Sequence, residues 1–335
     1  MRCLHLFLTH FTSLRGINVR ILVVGASGHL GSYVVEQLLK SDIDVITLVR
    51  PQSDPWRLTG VLDRVTVLRG DLNDLANTAG DIAAVCADTI IHLGWQGVTA
   101  SERNNPEQIT RNVSNTLALF ELARVAGCRN WIGVGSQAEY GPYNGVLTEG
   151  LPLCPVTAYG TAKMAIELLT EKLCGISGMR WVWFRLLAIY GPKDDERHLI
   201  PSVTNALLRG EKPSLTLGEQ QWDYLYVTDA ARALVQMALY PEVCGIFNLA
   251  SGEAYSVREI VERTRDLIDP ALPLGFGEKP YLPDQPMRLQ ANVDRLRKAT
   301  GWQPQVSLQD GLASTVEWYR ARSIGAESAQ GRQAI

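Results

Sequence analysis

The chain has 335 residues, 46% hydrophobic and 20% charged, with 32 basic against 35 acidic side chains and a net charge of −3. That length supports a large core, as one extended domain or as two lobes sharing a cleft, and the composition is that of a soluble globular protein. Such a charge balance gives no global attraction to nucleic acid or to an anionic membrane, so neither partner is expected.

Cysteines 3, 86, 128, 154, 174 and 244 are scattered without a C-x-x-C pair, and the five histidines lack metal-ligand spacing. The expectation is a cytoplasmic protein with reduced, mostly buried thiols and no metal.

Residues 1–18 contain an apolar patch from Leu4 to Phe11, interrupted by His5, Thr9 and His10. It falls far short of the roughly 20 residues a membrane span needs and reads as a peripheral extension. Val19 to Val24 then predicts a strand, Leu30, Val34, Val35, Leu38 and Leu39 a helix, and Asp44 to Val49 a second strand. Between the first strand and the helix lies Gly25-Ala26-Ser27-Gly28-His29-Leu30-Gly31. Glycines so placed supply a tight turn, close backbone approach and a helix N-terminus, which together predict a pyrophosphate site for a dinucleotide. The second strand runs into Arg50, where an NAD-preferring site usually has an acid for the ribose hydroxyls. Arg50 can instead pair with a 2′-phosphate, with Arg57 assisting, so NADP(H) is favoured and NAD(H) is the alternative.

Further apolar runs at Val65 to Leu68, Thr89 to Leu93, Trp131 to Val134 and Trp181 to Leu187 alternate with segments that can be helical. The pattern predicts an α/β fold with a Rossmann-like, doubly wound parallel sheet. Residues 19–190 form the expected NAD(P)-binding domain. After Gly191-Pro192 frequent prolines shorten the pieces, and residues 191–320 read as a smaller, interleaved C-terminal substrate lobe. Tyr224 to Val227 and Gly245 to Leu249 are expected to return to the main sheet. Residues 321–335 read as a frayed tail.

Tyr159 and Lys163 stand four apart in a helical segment and therefore share a face. An ammonium beside a phenol favours phenolate. At about 4 Å and an effective dielectric of about 20 the pair interacts by roughly 4 kcal/mol before desolvation. By itself the pair also fits an ordinary helix surface. With the glycine turn and Ser136 it predicts a proton-transfer centre.

These motifs, with Asp71-Leu72, His92-Leu93-Gly94, Asn112-Val113-x-x-Thr116, Gly135-Ser136-Gln137-Ala138-Glu139-Tyr140-Gly141, Tyr190-Gly191-Pro192 and Asp223-Tyr224-Leu225-Tyr226-Val227-x-Asp229, resemble the extended short-chain dehydrogenase/reductase family. The resemblance runs from Val19 to about Tyr319 and is to the branch that modifies nucleotide sugars. It implies that Tyr159 is the acid/base, that Lys163 binds the nicotinamide ribose and lowers the tyrosine pKa, and that Ser136 hydrogen-bonds the reacting sugar oxygen. It also implies that Asp71 and Leu72 flank the adenine, that Leu93, Gly94, Trp95 and Leu187 line the dinucleotide, and that Asn112 supports the network. A homodimer and a nucleotide-sugar substrate are implied as partners.

Dehydratases of this family carry carboxylates after the active-site hydroxyl; here Gln137 and Ala138 occupy those positions, and Glu139 should point elsewhere if the segment is extended. Simple hydride chemistry remains. Arg50 favours an NADPH-dependent 4-ketoreductase of a nucleotide-linked 4-keto-6-deoxyhexose, with an NAD-dependent nucleotide-hexose 4-epimerase and a non-catalytic dinucleotide sensor as alternatives. Ala188, Trp222 and Leu282 replace polar residues that the family often uses on the nucleotide sugar. The expected substrate contacts are Ser136, Gln137, His198, Trp222 and Arg288.

Overall fold

The computed structural model describes residues 19–41, 43–282 and 285–333, so the extension at 1–18 lies outside them. Along the chain, strands β1 (Arg20–Val24), β2 (Asp44–Val49), β3 (Thr66–Arg69), β4 (Thr89–His92), β5 (Asn130–Ser136) and β6 (Arg180–Leu186) alternate with helical segments. The chain then leaves for two short strands, β7 (Ala188–Tyr190) and β8 (Gln221–Tyr226), and returns as β9 (Gly245–Leu249). The main sheet has the order β3-β2-β1-β4-β5-β6-β9 and is parallel throughout.

Period-two alternation explains why both faces are apolar. Ile21 and Val23 of β1 pack with Val34, Val35 and Leu38 of α1 (His29–Leu38). Leu22 and Val24, pointing the other way, join the opposite core. After α2 (Ala79–Ala84) and the single turn α3 (Glu107–Thr110), that opposite core receives Leu119, Phe120 and Ala123 from α4 (Asn112–Val125). Ile166 and Cys174 of α5 (Ala158–Ser177) complete it. Thr157 starts α5 by accepting the Gly160 N–H at 3.0 Å, and Gly178 ends it in the left-handed conformation at φ 72°.

The smaller sheet is built on β8. β7 pairs with it in parallel, β10 (Ala254–Ser256) antiparallel and β11 (Arg288–Leu289) in parallel. Helices α6 (Leu199–Leu208) and α8 (Val257–Asp266) cover it with Val203, Leu207, Val257 and Val261, while α7 (Val227–Leu239) joins the core beside α1. Helix α9 (Asp294–Thr300) adds Leu296 to the main core.

Three expectations change. Gly245–Leu249 does enter the main sheet, but 221–226 forms the centre of the smaller one, because an apolar run of that length carries no mark of which sheet it joins. The 321–335 segment is not a frayed coil as far as it is described: helix α10 (Leu308–Gln333) continues through it, anchored by buried Leu312, Val316 and Tyr319. Among the described cysteines Cys128 and Cys174 are buried, whereas Cys86, Cys154 and Cys244 are exposed in connecting segments. Among the described residues no helix is long and apolar enough to cross a membrane, and no three His, Cys, Asp or Glu side chains form a metal-binding group.

Candidate active site

β1 and β4 lie side by side while their crossovers run in opposite directions, so a crevice opens at their carboxyl ends. A cleft of about 670 Å³ occupies it. Of the residues read from sequence as cofactor contacts, Gly25, Ser27, Gly28, Arg50, Asp71, Leu72, Leu93, Gly94, Trp95 and Asn112 line this cleft.

The glycine turn is tight for steric reasons. Gly25 adopts φ +87°, and a Cβ there would lie 2.7 Å from the Gly94 nitrogen. A Cβ on Gly31 would lie 2.1 Å from the Gly25 carbonyl oxygen. Gly28 has no side chain to cap α1, so the first N–H groups of that helix are left for an anion. The turn therefore fits a dinucleotide pyrophosphate.

At the far end Arg50 is exposed and donates from Nε to Ser53 Oγ at 3.1 Å. Asp71 caps the following turn through the Asn73 N–H at 2.9 Å. Arg57 is committed elsewhere: its Nε donates to the Lys193 carbonyl at 2.7 Å and its Nη1 to that of Ser27 at 3.4 Å. His29, read as a cofactor contact, turns from the cleft toward buried Asp194, with Nδ1 3.1 Å from Oδ1. Leu30, Gly31 and Leu187 are buried and do not line the cleft.

Trp95 is fixed by a network in which Gln108, which no sequence motif marks, joins Asn112. Its Nε1 donates to Gln108 Oε1 at 2.8 Å, and Asn112 Nδ2 donates to the same oxygen at 3.1 Å. Asn112 also accepts the Gln96 N–H and donates to the Gln96 carbonyl, both at 3.0 Å. Gln108 was recognisable only as the i, i+4 partner of Asn112.

Ser136 ends β5 and Tyr159 begins α5, and the two side chains lie near enough for Ser136 to act on the phenol. Burial pushes the Tyr159 phenol up, the Ser136 hydrogen bond pulls it down, Glu139 acts upward and Arg103 downward. Lys163 does not meet the phenol in the expected way. Its Nζ donates to the Val134 carbonyl at 2.7 Å and lies 3.7 Å from the centroid of a Trp95 ring. The same indole meets Tyr159 edge-on at 6.1 Å. Burial brings the Lys163 ammonium down to about 7, opposed by Glu139. Behind it buried His92 is brought down to about 3 by desolvation and by Lys163, with Nδ1 lacking a partner.

The segment after Ser136 is a 3-10 turn, Gln137–Glu139, rather than extended chain. Glu139 indeed points away, but as a cap: Oε1 accepts the Ser136 N–H at 2.7 Å. Its Oε2 lies 3.2 Å from Arg185 Nε, and Arg185 grips Glu167 at 2.8 and 2.6 Å. Burial and the adjacent Glu167 raise Glu139 well above the usual carboxylate range. It is a structural anchor for Ser136.

The expected substrate contacts are dispersed. His198 Nδ1 lies 2.9 Å from Asp194, and that hydrogen bond raises its pKa. For Asp194 burial opposes ionisation, but bonds from His198 and His29 outweigh it and bring it down to about 2. Trp222 donates to the Pro286 carbonyl at 2.8 Å and packs against the smaller core. Arg288 is exposed and donates to Gln290 at 2.9 Å. Gln137 stays beside Ser136.

The parallel order, the switch-point cleft and the glycine turn define a Rossmann-like α/β protein built for a dinucleotide. Residues 21–250 match the model of the NAD dependent epimerase/dehydratase family, and the chain belongs to that family. It is 29% identical over 321 residues to the UDP-glucose 4-epimerase of Mycolicibacterium smegmatis, covering 91% of this chain and 100% of that one. It is 27% identical over 324 residues to the dTDP-glucose 4,6-dehydratase of Streptomyces niveus, covering 90% and 93%. Its fold matches UDP-N-acetylglucosamine 4-epimerase from Methanobrevibacter ruminantium M1 with a TM-score of 0.82 at 24% identity, covering 91% and 99%.

Proposed function

We propose that this chain is a nucleotide-hexose 4-epimerase. The observation that carries the reading is the Ser136–Tyr159 pair beside the dinucleotide cleft, followed by Gln137 and Ala138 rather than carboxylates. Similarity to relatives such as the Mycolicibacterium smegmatis UDP-glucose 4-epimerase supports epimerisation over the ketoreduction favoured by Arg50 alone. Elimination of water is disfavoured because Glu139, the nearest acid, is buried against Arg185 and Glu167.

Backbone N–H groups from Gly28 onward would hold the pyrophosphate, Asp71 and Leu72 the adenosine end, and Lys163 the nicotinamide ribose. The bound dinucleotide supplies the hydride acceptor and donor. Tyr159 as phenolate takes the C4 hydroxyl proton, and Ser136 donates a hydrogen bond to the developing ketone. Tyr159 gives that proton back to O4 of the turned sugar, while hydride, which the dinucleotide would supply to the opposite face of C4, completes inversion at that carbon. Cofactor retained through purification and interconversion of UDP-hexoses without net redox are the expected results. Net NADPH oxidation by a nucleotide 4-keto-6-deoxyhexose, without UDP-hexose interconversion, would replace this reading with the reductase.

Arg50 keeps that second reading specific. Its guanidinium lines the cleft with no acid beside it in the strand end, as a 2′-phosphate site requires. Arg50→Ala should lower NADPH affinity about tenfold or more and leave NADH affinity nearly unchanged if NADP is the cofactor. Dimerisation through α4 and α5 is proposed from the exposed Leu168, Leu169 and Ile176 on α5 and Val125 on α4. Light scattering of Leu168→Glu against the parent protein tests it.

A further inference from the structure

Gln108, on the single turn α3, is buried and makes all four hydrogen bonds open to a carboxamide. Its Oε1 accepts from Trp95 Nε1 at 2.8 Å and from Asn112 Nδ2 at 3.1 Å. Its Nε2 donates to the Glu102 carbonyl at 3.1 Å and to the Gly97 carbonyl. These partners fix which way the amide faces: turned over, it would set its oxygen against two carbonyls and its N–H groups against two donors. Gly97 is shaped to this group. It adopts φ +75°, and a Cβ there would lie 2.6 Å from Gln108 Nε2.

What the amide holds is the Trp95 indole. One face of that indole meets Lys163, with Nζ 3.7 Å from a ring centroid, and it meets Tyr159 edge-on at 6.1 Å. The two residues of the proton-transfer motif therefore share one aromatic neighbour from outside the motif. Lys163 keeps its own role: an ammonium has three N–H donors, and with the Val134 carbonyl taking one and the indole face attracting the charge, a donor remains for a ribose hydroxyl. An indole free to turn about its two side-chain torsions would not hold one position against that lysine. The bond from Nε1 to Gln108 stops the turning.

We propose that Gln108 is a positioning residue that acts through Trp95: its buried carboxamide clamps the indole against Lys163 and Tyr159, so that both keep one placement when dinucleotide and sugar enter. The proposal rests on the reading of Tyr159 and Lys163 as the reacting pair. Gln108 itself touches neither of them and meets the reaction only through the ring it holds.

The test reads the indole first and the reaction second. In the full-length protein labelled with nitrogen-15 tryptophan, the Trp95 side-chain N–H signal is the one that Trp95→Phe removes. Gln108→Met should shift that signal and speed its exchange with solvent about tenfold or more. Gly97→Ala, which presses on the same amide, should move it in the same direction and serves if Gln108→Met does not fold. Kinetics then separate a clamp on Trp95 from general support of the loop. With a nucleotide sugar that is turned over, Gln108→Met and Trp95→Phe should each lower kcat about tenfold while KM and dinucleotide affinity stay nearly unchanged, and the double variant should fall no further than either single one. An indole signal unmoved by Gln108→Met overturns the proposal, and so does a double variant whose loss is the product of the two single losses. The indole measurement uses neither dinucleotide nor sugar, so its failure is separable from that of the epimerase reading, which falls if no nucleotide hexose is interconverted.

Discussion

The buried triad of Glu139, Arg185 and Glu167 makes an unequal prediction for two chemically similar substitutions. One guanidinium serves two carboxylates, and it grips Glu167 at 2.8 and 2.6 Å but reaches Glu139 only at 3.2 Å. Arg185 therefore holds Glu167 more tightly than Glu139, and Glu139 is the carboxyl whose pKa burial and the adjacent Glu167 raise. Glu139→Gln keeps an oxygen for the Ser136 N–H and an N–H for Glu167. It presents a donor, however, to Trp183 Nε1 at 3.3 Å and Arg185 Nε at 3.2 Å. Losing two long hydrogen bonds at about 0.5–1 kcal/mol each predicts a cost of about 1–2 kcal/mol near pH 5. Glu167→Gln leaves a buried guanidinium without its anion and should cost about 3–5 kcal/mol. The pH dependence follows from the raised carboxyl. Above about 4.5 an unfolded glutamate ionises while folded Glu139 keeps its proton, so the native protein loses stability as pH rises toward the folded value. Glutamine has no such penalty, and the cost of Glu139→Gln should shrink between about pH 5 and pH 8. Urea denaturation followed by tryptophan fluorescence reads both effects. A Glu139→Gln cost that exceeds that of Glu167→Gln, or that grows with pH, would refute this account of the triad.

Two further predictions concern the glycine turn and its neighbour. Gly31→Ala places a methyl 2.1 Å from the Gly25 carbonyl oxygen, and the turn must open to accept it. Dinucleotide affinity measured by fluorescence titration should fall at least about 100-fold, and an unchanged Kd would remove this turn from the cofactor site. Asp194, brought from 3.8 down to about 2, contributes roughly 2 kcal/mol of stability above the unfolded pKa, and loses it as pH falls through the folded value. Asp194→Asn should melt below the parent protein at neutral pH, with the gap closing in acid. Equal melting temperatures at pH 7 would show that the two histidines do not hold the carboxylate as described.

Elements whose chemistry is local were legible. β2 spans Asp44–Val49 as its apolar run predicts, and the glycine turn precedes α1 because only that spacing closes a strand onto a helix there. Ser136, at the end of β5, and Tyr159, at the start of α5, come near each other. What was not legible depends on tertiary choice. Lys163 shares a helix face with Tyr159, but its four rotatable side-chain bonds let Nζ find Val134 instead. Glu139 looks like a displaced acid in the sequence and becomes a cap only once 137–139 curls into a turn. Trp222 joins the smaller core, a fate its residue type allows but does not specify. Residues 103–104 belong to no periodic pattern, and only the bonds from Tyr159 and Ala158 tie them to the start of α5.

The chain passes between the two sheets three times, from Leu186 to Ala188, from Tyr226 to Gly245 and from Leu249 to Ala254. The smaller sheet is thus stitched into the larger one rather than appended to it. Shuffling substrate specificity by exchanging everything after Gly191 with a relative would also exchange β9, which pairs with β6 at the edge of the cofactor sheet. A workable chimera would have to transplant 188–226 and 250–290 as separate inserts and leave 227–249 native, so modular recombination in this architecture is a problem of several junctions, not one.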